Sequence, residues 1–235
     1  MKSLSCTETK DDNVSIIDKV LCELCKEMYG GTMEEKDIKM PKTKRGMTTF
    51  NKIVRSAEKV FGSKGYYNSM INDIAYKAKV APGTLYIYFP DKYTLYCYLL
   101  NQYNHSIREH IASRVKDCTT RKEQERMGLL AFLEIIRERP YMYNIIWESL
   151  YIDKKLFVDY YESFAGRYIK NIDYAKSKGE MKDYDSMLLS YVLMGVSNFV
   201  GLKYVMFNDD KKKEIDLEKI ADEVVEILEK GIFNI

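Results

Sequence analysis

The sequence predicts an all-α protein: an N-terminal three-helix head containing a helix-turn-helix, followed by a larger C-terminal helical domain. Three observations carry this reading. Apolar residues recur at helical spacing along most of the chain, and no segment sustains the period-two alternation of a strand. Four prolines and twelve glycines in 235 residues leave room for long, uninterrupted helices. The formal charge of +2 is unevenly spread: from Pro41 to Leu95 ten Lys/Arg stand against three Asp/Glu, a balance of +7, and the remainder is at −5. One basic segment on an otherwise acidic chain points to a polyanionic partner at that end, although a solvated lysine-rich face has the same composition.

The elements follow in order. Residues 1–10 read as a disordered tail. Residues 14–28 place apolar side chains at 16, 17, 20, 21, 24 and 28, a short amphipathic helix that Gly30-Gly31 ends. A polar linker leads to about residue 45. A helix from about Thr48 to Ser63 puts Ile53, Ala57, Val60 and Phe61 on one face. Ser69 is placed to cap a short helix at 70–78. Pro82 suits the first turn of another at 82–88. Pro90 stops that helix, and Asp91 caps a long one to about Val115. Further helices are expected near 120–138, 141–151, 153–177, 184–207 and 216–231. The boundaries drawn from this are 1–45 for an N-terminal extension, 46–92 for the head and 93–235 for the helical domain.

Several classes are disfavoured. The polar first 13 residues, MKSLSCTETKDDN, lack a secretory leader's apolar core. The uncharged run from Ser186 to Leu202 carries Ser190, Ser197 and Asn198 and reads as a buried helix rather than a membrane span, so no membrane partner is expected. Five scattered cysteines (Cys6, Cys22, Cys25, Cys97 and Cys118) suit a reducing cytoplasm. Cys22 and Cys25 form a Cys-x-x-Cys with no second pair, read as packing. His105 and His110 are the two histidines. With no phosphate-binding glycine loop, no defensible nucleophile-base order and no metal motif, the expectation is a non-enzyme with no cofactor and no metal.

The helix-turn-helix lies at about 69–89, inside the basic segment. A recognition helix is short, small or polar outside, and braced by apolar residues behind. Pro82, Gly83, Thr84 and Ile87 are read as outward, with Leu85, Tyr86 and Phe89 as bracing. Lys42, Lys44 and Arg45 precede the first helix as a flexible basic arm or a solubilising linker.

The stretch Gly65-Tyr66, Ser69 to Ala75, Ala78, Val80 to Lys92 and Leu95, with Ile53, Ala57 and Phe61 upstream, resembles the TetR family signature over about residues 50–95. Two positions depart from it. Lys79 stands where the inter-helix turn usually carries Gly, and Ala81 where a capping Ser is usual. Each departure costs roughly 1 kcal/mol. The resemblance implies base reading by Gly83 and Thr84 and phosphate contacts by Tyr86, Tyr88 and Lys92. It implies a phosphate-facing cap at Ser69; Lys79, which departs from the pattern, is read separately as offsetting part of its cost by approaching phosphate. The implied partner is double-stranded DNA.

Residues 141–168 hold nine aromatics. Rings with hydroxyls suit either a core or a cavity for a mostly apolar ligand. The pocket candidates are Tyr141, Trp147, Tyr151, Tyr161, Phe164, Tyr168 and Tyr191. Arg139-Pro140 through Trp147-Glu148 is similar to family members that sense fatty acyl or other elongated lipophilic effectors; amphipathic drugs or dyes fit the same pattern. The helices near 184–207 and 216–231 are apolar on a broad face and are read as a homodimer interface. The expected function is a repressor released from a palindromic operator by a small lipophilic effector. The rival is a helical binding protein or enzyme with a basic head and no sequence-specific DNA binding.

Overall fold

Several helices begin where a side chain caps the backbone, at Thr43, Asp91, Thr120, Asp153 and Asp185. In the computed structural model, which describes residues 38–207 and 215–230, the head is α1 (Lys44–Lys64), α2 (Ile71–Ala78) and α3 (Pro82–Tyr88). The helical domain follows as α4 (Lys92–Val115), α5 (Arg121–Glu138), α6 (Tyr141–Ile152), α7 (Lys154–Ser177), α8 (Ser186–Gly201) and α9 (Leu217–Lys230), with a π-helical turn at Leu202–Met206. No strand occurs among the described residues. The tail, the helix expected at 14–28 and the Cys22/Cys25 pair lie outside the described residues.

Thr43 accepts the Gly46 N–H at 3.1 Å and starts α1 earlier than the expected Thr48. Lys44 and Arg45 are therefore its first helical residues and not a flexible arm. Asp91 accepts the Thr94 N–H at 2.7 Å and begins α4 as expected. Thr120 and Glu123 form a reciprocal capping box on α5. The cap of α2 is a correction. Met70, not Ser69, is the capping residue, and Asp73 accepts the Met70 N–H at 3.1 Å. Ser69 is turned inward, its hydroxyl donating to the Gly65 carbonyl at 2.5 Å.

A continuous core runs from the head into the body. Phe50, Ile53, Ala57, Val60 and Phe61 of α1 meet Leu85 and Phe89, and the cluster extends through Leu95, Tyr96 and Tyr103 of α4 to α5 and α6. Phe50 stacks on Phe89 with centroids 5.0 Å apart. The buried hydroxyl of Tyr96 donates to the Ile145 carbonyl, which satisfies it and ties α4 to α6.

The expectation that 186–202 is a buried helix is corrected. Of α8, only Ser190, Leu193 and Gly201 are buried. Met187, Leu188, Tyr191 and Phe199 are exposed, because none of the described helices covers that side. The segment Ser186–Met206 is also long and apolar enough to cross a membrane by length and composition.

Candidate nucleic-acid interface and ligand cavity

The turn between α2 and α3 sits at Lys79, with φ 56 and ψ 46, the one positive-φ non-glycine among the described residues. This left-handed conformation is where glycine is usual, so the departure read from the sequence is a real strain. Ala81 gives α3 no side-chain cap. Pro82 occupies the first turn and needs no donor there.

Leu85 and Phe89 are fully buried and hold α3 against α1. Pro82 and Gly83 are exposed, Thr84 is half-buried, and Ile87 is 54% exposed. No atom would meet a Cβ at Gly83 within 4 Å, so this end of the helix is open to close approach. Tyr86 is 53% exposed and does not brace the helix, a correction. The helical period puts it beside Pro82 and Gly83 on the outward side, away from Leu85. Tyr88 is half-buried with its ring edge on Phe50 at 5.6 Å. Tyr76 of α2 is 88% exposed, and sequence pattern does not mark it; an apolar ring at that spacing reads as core until the neighbouring helix is known.

Lys92 has a different occupation from the phosphate contact implied by resemblance. Its Nζ donates to the carbonyls of Tyr66 at 2.8 Å and Ser69 at 2.9 Å and lies 4.1 Å above the Tyr66 ring. Those carbonyls explain a cation at the start of α4, where the helix dipole disfavours one. Lys44 and Arg45 sit in the same disfavoured position on α1, are exposed, and have no acidic residue in that first turn.

The segment joining α1 to α2 is held from the other side by α6. Glu148 accepts the Tyr66 N–H at 2.8 Å. Gly65 has φ 76, and a Cβ there would sit 2.8 Å from the Glu148 carboxylate. Tyr141 packs on Gly62, where a Cβ would be 2.3 Å from its ring. Asn144 donates to the Gly62 carbonyl at 3.3 Å. Arg139, just before α6, pairs with Glu58 at 2.8 Å.

The neighbour of Glu148 on α6 faces a cavity. Trp147 lines a space of about 370 Å³ enclosed by α4, α5, α6, α7 and α8. Of the seven pocket candidates, Trp147, Tyr161, Phe164 and Tyr168 line it. Tyr141 packs against Gly62 of the head, Tyr151 is 79% exposed, and Tyr191 faces outward on α8; these three are not among the lining residues. Tyr143 and Tyr160 also line it. Burial pushes the Tyr161 phenol up to about 12 and also raises those of Tyr143, Tyr160 and Tyr168, so all four remain neutral donors at neutral pH. Tyr143 donates to the Asn198 carbonyl at 2.6 Å. The lining also includes Arg108, Arg121, Glu125 and Arg167, none of which the aromatic pattern indicated. Among the described residues no cluster of three or more His, Cys, Asp or Glu is arranged to hold a metal ion.

Comparison with known proteins agrees with this geometry. Residues 53–98 match the family model described as bacterial regulatory proteins, tetR family. The chain is 26% identical over 163 residues to the HTH-type transcriptional regulator HbdR of Aromatoleum sp. (strain CIB), covering 68% of this chain and 71% of that one. It is 24% identical over 190 residues to the fatty acid metabolism regulator protein of Bacillus subtilis (strain 168), covering 79% and 96%. Two solved structures share the fold. The fatty acid degradation regulator FadR from Bacillus halodurans superposes with a TM-score of 0.69 at 19% identity, over 80% of this chain and 96% of that one. FadR from Bacillus subtilis, solved in complex with stearoyl-CoA, gives 0.61 at 21% identity, over 78% and 100%.

Proposed function

Since this chain is a TetR-family transcriptional regulator, we propose that it works as a cytoplasmic homodimeric repressor, released from a palindromic operator by an elongated, lipophilic effector. The observation that carries the reading is the two-sided helix α6. One side is bonded to the head through Glu148, and the other lines the cavity through Ile146 and Trp147. Occupancy of the cavity and posture of the head thus bear on one rigid element. An effector that prefers one posture of that element shifts the head's equilibrium by its differential affinity.

In this reading the head at 46–92 reads DNA and the domain at 93–235 binds the effector and dimerises. Gly83, Thr84 and Ile87 approach bases, while Lys44, Arg45, Tyr76, Tyr86 and Lys79 approach phosphates. Two heads in successive major grooves lie about 34–36 Å apart. The exposed apolar residues of α8, with Ile227 and Leu228 of α9, support dimerisation through these two helices. The fatty acid regulators among the relatives, one solved with stearoyl-CoA, support an acyl thioester as the effector class.

Titration of the protein against the promoter upstream of its own gene, at several salt concentrations, tests the regulator. A specific complex with a steep salt slope, dissociated by acyl thioesters, is expected. Weak binding that ignores sequence sinks it in favour of a helical binding protein or enzyme with a basic head. If specific binding persists but no acyl thioester raises the melting temperature, the effector class is wrong and the regulator stands.

A further inference from the structure

The cavity is chemically polar along its long axis. Its lining on α5 runs from Arg121 to Ile136, about 22 Å of helix at 1.5 Å per residue. At the Ile136 end the wall is Ile146, Trp147 and Tyr160; at the Arg121 end it is Gln124, Glu125, Arg167 and Asn171.

Arg121 is only 7% exposed. Its guanidinium pairs with Glu125 and lies over the Tyr168 ring at 5.1 Å, while the Tyr168 hydroxyl donates to the same Glu125 carboxylate. The Arg121 Nε is buried with no hydrogen-bond partner. Arg167, exposed at the cavity wall, has no ion pair or hydrogen bond among the described residues. The lining carries three arginines and one glutamate, and a second carboxylate, that of Glu180, accepts the Arg121 backbone N–H. A buried guanidinium donor without an acceptor is unfavourable, and Arg167 is a second cation on the same cavity lining. An anion at this end of the cavity would supply the acceptor that the Arg121 Nε lacks.

We infer that the cavity takes an anionic amphiphile, with its charged head between Arg121 and Arg167 at the start of α5 and its tail directed toward Trp147. This rests on the effector-cavity reading above and fixes the ligand's charge and direction. A free fatty carboxylate and an acyl chain on a phosphate-bearing carrier both supply the anion.

The test is calorimetric titration of the full chain, below micelle-forming concentrations, with palmitate, palmitoyl-coenzyme A, methyl palmitate and hexadecanol. At least one anionic ligand is expected to bind about tenfold or more tighter than both neutral ones, as a charge-assisted hydrogen bond implies. Arg167→Gln, at the exposed rim where folding is not at risk, is expected to remove that preference and leave methyl palmitate binding unchanged. Arg121→Gln is the second variant, interpreted where its melting temperature matches the parent. Preference for palmitate assigns the anion to a carboxylate, and preference for the thioester assigns it to the carrier's phosphates. Equal binding of charged and neutral chains, or an undiminished preference in Arg167→Gln, overturns the inference while leaving the cavity as a lipid site. Failure of all four to bind overturns the effector-cavity reading itself.

Discussion

The Glu148 carboxylate accepts the Tyr66 N–H at 2.8 Å, across 82 residues of sequence, one position from a tryptophan that lines the cavity. This bond, with Arg139–Glu58 and Asn144–Gly62, fastens α6 to the end of α1. Glu148→Gln keeps the shape and removes the charge, so the donor is left with a neutral acceptor. A stability decrease of about 1–2 kcal/mol is expected. Effector affinity for the free protein should be little changed. The effector's power to weaken operator binding should fall by about 1 kcal/mol, within the usual range of coupling energies. Operator titrations with and without effector measure this, and an undiminished effect in the variant would mean that coupling runs elsewhere.

Lys44 and Arg45 differ from Lys92 in what their charges do. The first two are exposed at the start of α1, and Lys92 is bonded to two carbonyls. Replacing Lys44 or Arg45 by Ala should lower the slope of log affinity against log salt by about one unit for each phosphate left without its cation, with the melting temperature kept. Lys92→Met should do the reverse, leaving the slope unchanged and costing about 2 kcal/mol of stability by orphaning the Tyr66 and Ser69 carbonyls. If Lys92→Met alters the slope instead, its amine reaches DNA in the complex.

Strain at Lys79 predicts that a glycine is better tolerated there than the native residue. Lys79→Gly removes a Cβ from a left-handed turn and should stabilise the protein by about 1 kcal/mol, a rise in Tm of roughly 2–4 °C for a chain of this size. A Tm that falls would show that the Lys79 side chain makes a compensating interaction.

Alkaline pH should destabilise the protein progressively from about pH 9. Burial pushes the Cys97 thiol from 9.0 up to about 12, with the nearby Asp153 and Asp91 charges adding to the rise and the Tyr93 bond opposing it. Above about pH 9 the unfolded chain releases a proton that the native chain keeps. Stability is therefore fully present below pH 9 and is lost as pH rises toward 12. Tyr161, raised from 10.0 to about 12 by burial, adds to the decline above pH 10. Thermal melts should show Tm falling from about pH 9, with Cys97→Ala flattening the first part of the fall. An equal fall in that variant would assign it to other groups.

Much of the fold is legible in the sequence because it is written locally. Asp91, Pro82 and the apolar spacing of α1 act through backbone chemistry within a few residues, and α3 through α7 begin and end close to where those signals stand. What is not legible depends on neighbours distant in sequence. Ser69 has the right chemistry for a cap, yet its hydroxyl is taken by Gly65, and Asp73 supplies the capping bond instead. Tyr141 and Trp147 lie on one aromatic helix, but both faces of α6 are covered, one by the head and one by the cavity, and periodicity cannot say which cover is which. Arg121 and Glu125 show the i,i+4 spacing of an ordinary solvated pair, and only their burial beside Tyr168 distinguishes them. The outward apolar face of α8 carries the composition of a core helix, so composition alone assigns it to the interior.

The two-sided position of α6 also sets the directions in which this protein can change. A substitution at Ile146 or Trp147 that reshapes the tail end of the cavity disturbs the element that holds Tyr66 and Gly62, so altered effector range there comes with altered operator affinity. Arg167, Gln124 and Asn171 lie at the far end of the cavity, on helices that are not bonded to the head in this way. New ligand head groups are accessible to mutation at that end without disturbing the grip on DNA, and divergence among regulators built this way should accumulate there first.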